Sequence, residues 1–169
     1  MTTFTKWFLL NAVVLTAVFF AEQNSLISTM IEGDLSHISM LIMFLYVCMS
    51  AFVGKLCYLS DKISKKDSDM RRKEKEYLTK RAHVGWFAAE HFFSLGLLGT
   101  IIGLILATAE NLDSSIPTSE IVAGLKRGLN TAFYTTVCGI VFSLPLQVQL
   151  MILKFRLEEG LEKDKPNEA

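Results

Sequence analysis

Apolar residues fall in four long runs parted by polar segments. Residues 7–21 (WFLLNAVVLTAVFFA) hold one strongly polar group, Asn11. With Phe4 and Thr5 this run is just long enough to cross a ~30 Å hydrocarbon layer at ~1.5 Å per residue. A lysine before an apolar run also suits a cleaved signal peptide, but Phe19, Phe20 and Ala21 lack small residues at both cleavage positions, which favours a retained helix. Residues 22–36 carry Glu22, Glu32 and Asp34 and no cation, and read as a short loop. Residues 38–59 form a second span, interrupted only by Lys55 near its end, where the long stem can snorkel to the interface. The short loop predicts that spans one and two form an antiparallel pair.

Residues 60–88 change character, mixing Lys and Arg with Asp and Glu and lacking Pro and, until Gly85, Gly. This composition predicts a charged, solvated helix with internal ion pairs, running on from the second span. A third span covers about 92–112. Pro117 then precedes Thr118 and Ser119, candidate N-caps of the next helix. Between Arg127 and Lys154 no charge occurs, more than a bilayer needs, so the fourth helix is expected to project beyond the membrane. Residues 156–169 read as a charged tail, helical at first and disordered after Pro166. The segments are therefore 1–59, a helix pair; 60–89, a charged helical stretch; 90–155, a second helix pair; and 156–169, the tail.

The last two spans carry small residues at helical spacing. Gly96, Gly99, Thr100 and Gly103 fall at i, i+3, i+4 and i+7, and Gly128, Ala132, Thr136, Gly139 and Ser143 follow a similar stripe. Such faces let helices approach closely or line something narrow. The rest of the chain favours the second.

Composition agrees with a membrane protein: 51% of residues are hydrophobic and the mean hydropathy is +0.37. Seventeen basic and seventeen acidic residues cancel, so nothing points to nucleic acid. Their placement sets the topology. Ten Lys and Arg lie between spans two and three, counting Lys55, while the loop between spans one and two has none. The positive-inside rule then places both termini and the charged stretch in the cytoplasm. Cys48, Cys57 and Cys138 lie in or beside apolar runs without a CxxC pair, and read as structural.

No carboxylate lies in mid-membrane; Glu90, Glu110 and Asp113 sit near the ends of span three. That disfavours a transporter with a charged site of its own. Hydrolase motifs are missing, and His37, His83 and His91 are scattered, so an enzyme is not expected. What remains is hydroxyl: Thr100, Thr135 and Thr136, flanked by Thr131 and Ser143. A membrane threonine often bonds only its own i−4 carbonyl, but a hydroxyl within a glycine-lined stripe can support water or a partner's carboxylate.

The segments LGLLGTIIG (95–103) and AFYTTVCGIVFSLP (132–145) resemble the paired motifs of the MotA/TolQ/ExbB proton-channel family, over about residues 90–155. The resemblance implies an all-α, polytopic, ring-forming fold of four transmembrane helices with helical cytoplasmic extensions, in the bacterial inner membrane. It implies a homopentamer around two helices of a MotB/ExbD/TolR-like single-span partner, which supplies the aspartate this chain lacks. H⁺, or Na⁺, would be the transported ion, with no bound cofactor. The ion pathway would run by Thr100 and Thr136, with Thr135 and Thr131 beside them. Gly96, Gly99, Gly103, Ala132, Gly139, Ser143 and Pro145 would pack the helices and line the channel. The sequence departs from the family pattern at Phe93, where a proline is usual, and at Thr131, where ExbB and TolQ carry glutamate. Four spans make it closer to MotA, with a far shorter cytoplasmic loop. The competing reading is a structural or holin-like membrane protein whose small faces serve packing alone.

Overall fold

A computed structural model describes residues 2–63, 68–109 and 117–163. They form five α-helices and, among the described residues, no strand: α1 (Thr3–Gln23), α2 (Leu26–Gly33), α3 (Ile38–Ile63), α4 (Ser68–Ala109) and α5 (Thr118–Lys163). Helices α1, α3, α4 and α5 are each long and apolar enough to cross a membrane. The described residues are thus all-helical, in the pattern of a multi-pass membrane protein.

The described helices depart from the sequence expectations at three places. The loop at 22–36 contains α2, whose Leu26, Ile27, Met30 and Ile31 cluster on one side of two helical turns. Too short to span anything, it reads as a loop beside four strong hydropathy maxima. The charged stretch is not mainly a continuation of span two: from Ser68 it is continuous with span three, giving a 42-residue α4. Nothing in 68–91 breaks a helix, so the apolar run and its charged extension fold as one rod. Third, the Pro117 carbonyl accepts from the N–H groups of Glu120 and Ile121. Pro117 therefore occupies the capping position, and Thr118 already lies in the first turn. The 46-residue α5, about 69 Å long, does exceed any bilayer. Glu110, Asp113, the end of span three and the tail after Pro166 lie outside the described residues.

Contacts divide the chain into two units that cut across the spans: Met1–Leu15, Val47–Ala89 and Leu144–Ala169 form one, Thr16–Tyr46 and Glu90–Ser143 the other. In the first, α1 and α3 run antiparallel. The Asp61 carboxylate accepts from the N–H groups of Thr3 (3.0 Å) and Phe4 (2.8 Å), capping the orphan donors of α1. Further along, Trp7 lies over Gly54, whose missing Cβ admits the indole. Val53, Leu56 and Cys57 pack in this core with Leu78, Ala82, Leu146, Leu150, Leu153 and Leu157.

A partly buried polar cluster lies in the same unit. The Trp7 indole N–H donates to the Ser50 carbonyl and to Gln149 Oε1, both at 3.1 Å. The Ser50 hydroxyl reaches Asn11 Oδ1 at 2.8 Å and Gln149 Oε1 at 3.1 Å. Gln149 is 1% exposed. In an apolar surrounding each of these groups finds its partners inside the protein, as it must.

In the second unit Ile42, Tyr46, Phe92, Ala107, Ala132 and Cys138 are buried, and Tyr46 packs on Phe142 with ring centroids 5.1 Å apart. Asp34 caps α3: Oδ2 accepts from Ser39 N–H at 2.8 Å, and Oδ1 from the N–H and hydroxyl of Ser36.

Candidate functional site

The two small-residue stripes of α4 and α5 meet each other within the second unit. A Cβ on Gly103 would stand 2.5 Å from the Ala132 nitrogen and 2.6 Å from the Gly128 carbonyl oxygen. One on Gly139 would stand 2.7 Å from the Phe92 carbonyl oxygen, and one on Gly96 3.0 Å from that of Thr135. These obstacles are backbone and cannot swing away, so glycine at these positions sets the helix separation. Gly99 makes room for the side chain of Thr135. Close approach, one of the two uses such stripes allow, is what they achieve within one chain.

The threonines divide into two kinds. Thr131 and Thr135 are both 0% exposed. The Thr135 hydroxyl turns back on its own helix, to the carbonyls of Thr131 (2.9 Å) and Ala132 (3.1 Å). Thr131 ties α5 to the α2–α3 connection: its oxygen accepts from Leu35 N–H at 3.2 Å, and its hydroxyl lies 3.1 Å from the Gly33 carbonyl and 3.2 Å from that of Arg127. Sequence spacing could not show this link, because the partner groups are backbone atoms almost a hundred residues away.

Thr100 and Thr136 are half-buried at the edge of the glycine seam, and their hydroxyls are hydrogen-bonded to each other. Thr100 Oγ1 lies 3.2 Å from the Gly96 carbonyl and 3.3 Å from that of Ala132. Thr136 Oγ1 lies 3.0 Å from the Ala132 carbonyl and 3.4 Å from that of Gly96. The two hydroxyls thus share two carbonyls, each the i−4 carbonyl of one of them.

Two protons serve this group. One can link the hydroxyls and the other can go to a carbonyl, which leaves unused lone pairs on both oxygens. The site can accept a hydrogen bond from a protonated acid or water, or supply oxygens to a cation.

Of the remaining predicted residues, Ser143 is buried. Pro145 lies inside α5, where its missing N–H leaves the Val141 carbonyl without that helical bond. Phe93 is exposed, while its neighbour Phe92 is buried against the Gly139 position.

Residues 60–163, more than half of the chain, match the MotA/TolQ/ExbB proton channel family. The chain belongs to that family. The match begins well before the paired motifs, so the charged part of α4 belongs to the MotA/TolQ/ExbB pattern as well. No curated protein and no solved structure matches the chain. Membership makes this a channel-type, transport-coupling membrane protein, and the Thr100–Thr136 pair is one place where its membrane helices gather polar atoms at a half-open surface.

Proposed function

We propose that this protein is an ion-conducting stator subunit of the bacterial inner membrane, with both termini in the cytoplasm. It couples an ion gradient, of protons or Na⁺, to mechanical work on a partner whose single transmembrane helix bears an aspartate. Five copies surround two partner helices. The observation that carries this reading is the Thr100–Thr136 pair, an acceptor-rich and half-buried site in a chain with no mid-membrane carboxylate. A partner's aspartic acid, when protonated, has one O–H to give, and the pair has lone pairs to receive it. Once that proton leaves, the carboxylate can stay only by drawing a hydroxyl proton away from the shared carbonyls, so it is held less well. The site thus distinguishes the charged from the neutral partner, which is what a step driven by protonation requires.

Thr135 and Thr131 serve this site by position. Thr135 fills the space opposite Gly99, and Thr131 fixes α5 to the α2–α3 connection.

The test is proton flux in vesicles holding the chain with the single-span protein that co-purifies with it. Thr100→Val/Thr136→Val is expected to abolish most of the flux, and Thr136→Ser to retain it. Full flux in the double valine variant would leave the competing reading, small faces for packing alone.

A further inference from the structure

Within the first unit, α3 and α4 leave a cavity of about 450 Å³, within the ~300–1,000 Å³ range of small-molecule sites. Its wall is apolar: Phe52, Leu56, Leu59 and Ile63 from α3 and Leu78 from α4. Lys55, Lys62 and Arg81 also line it, and all three are exposed at its rim. Glu74 faces the same space, so the cations outnumber the carboxylates. The nearby Asp61 is turned to the backbone of α1.

The cavity also stands at a defined level. The uncharged part of α3, residues 38–54, measures about 26 Å, so Lys55 marks one edge of the ~30 Å hydrocarbon layer. Arg81 is the last cation of α4, and it lines the same cavity as Lys55. Arg81 is further fixed by its guanidinium, 4.8 Å above the Tyr77 ring. Cations at the membrane surface beside an apolar wall match one molecule in particular, which carries a negative headgroup and a hydrocarbon tail.

We propose that this cavity binds an anionic phospholipid. The phosphate lies among Lys55, Lys62 and Arg81, and an acyl chain passes Phe52 into the hydrocarbon layer. The site is separate from the Thr100–Thr136 pair and does not depend on the role assigned to it.

The full-length protein, washed free of native lipid in detergent, is titrated with phosphatidylglycerol, with phosphatidylcholine of the same chains, and with inorganic phosphate. Bound molecules are counted by native mass spectrometry. Phosphatidylglycerol is expected to be held at roughly tenfold lower concentration than phosphatidylcholine, given the attraction of three cations for an anionic headgroup. Inorganic phosphate should not displace it. Lys55→Gln/Lys62→Gln/Arg81→Gln should lose the preference while the mass of the protein assembly stays unchanged. Lys126→Gln/Arg127→Gln, near the start of α5, should keep it. Equal binding of the two lipids, a preference that survives the triple substitution or disappears with Lys126 and Arg127, or displacement by phosphate would each overturn the proposal.

Discussion

The hydroxyls of Thr100 and Thr136 share one pair of carbonyls, Gly96 and Ala132, across two helices. Neither threonine could do this on its own helix. The glycines beside them bring the helices close enough that each i−4 carbonyl lies within reach of both side chains.

Thr136→Val keeps the side-chain volume close to constant and removes one hydroxyl. Interhelical hydrogen bonds in membranes are worth about 0.6 kcal/mol on average, so the fold should be little disturbed. Partner-dependent ion flux should fall roughly tenfold, as expected where about 1.4 kcal/mol of barrier stabilisation is lost. Flux and unfolding measured on the same preparation separate the two effects.

Gly103→Ala should destabilise the α4–α5 pair by about 1–3 kcal/mol, because its Cβ meets the backbone of Ala132 and Gly128. Gly160→Ala meets no backbone, only the outer part of the buried Lys75 side chain, which can shift. It should be neutral or stabilising by up to about 1 kcal/mol through helix propensity. Unfolding in mixed micelles would show the contrast.

The cluster of Trp7, Asn11, Ser50 and Gln149 should behave as a unit. Gln149→Leu leaves the indole its bond to the Ser50 carbonyl and leaves the Ser50 hydroxyl its bond to Asn11. The cost should therefore be modest. A double-mutant cycle with Asn11→Leu should give a coupling of about 0.6–1.7 kcal/mol. A coupling near zero would mean the two amides act separately.

Thr131→Val should free the Leu35 amide and the Gly33 carbonyl. Amide exchange across residues 33–36 should accelerate roughly tenfold, the effect of losing about 1.4 kcal/mol of local stability. Ion flux should fall less than in Thr136→Val. The reverse order would assign Thr131 to the pathway itself.

The spans and the glycine stripes were readable in the sequence because hydropathy and small-residue spacing are local signals. Thr100 and Thr136 stood out because each interrupts such a stripe. Helix α2 did not stand out, since eight residues between two strong spans give too short a period to separate from a loop. The polar cluster was hidden for another reason. Trp7 and Gln149 are 142 residues apart, and a tryptophan or glutamine in an apolar run carries no mark of its partner. The direction in which Thr131 bonds is set by α2 and the turn after it, so it could not be read before that helix was known.

The most direct test of the stator assignment is the composition and symmetry of the complex extracted in mild detergent, by native mass spectrometry and two-dimensional class averages. Five copies of this chain in a five-fold ring, with two copies of a single-span protein at its centre, are the predicted result. A monomer, a dimer, or a ring of other symmetry with an empty centre would contradict it.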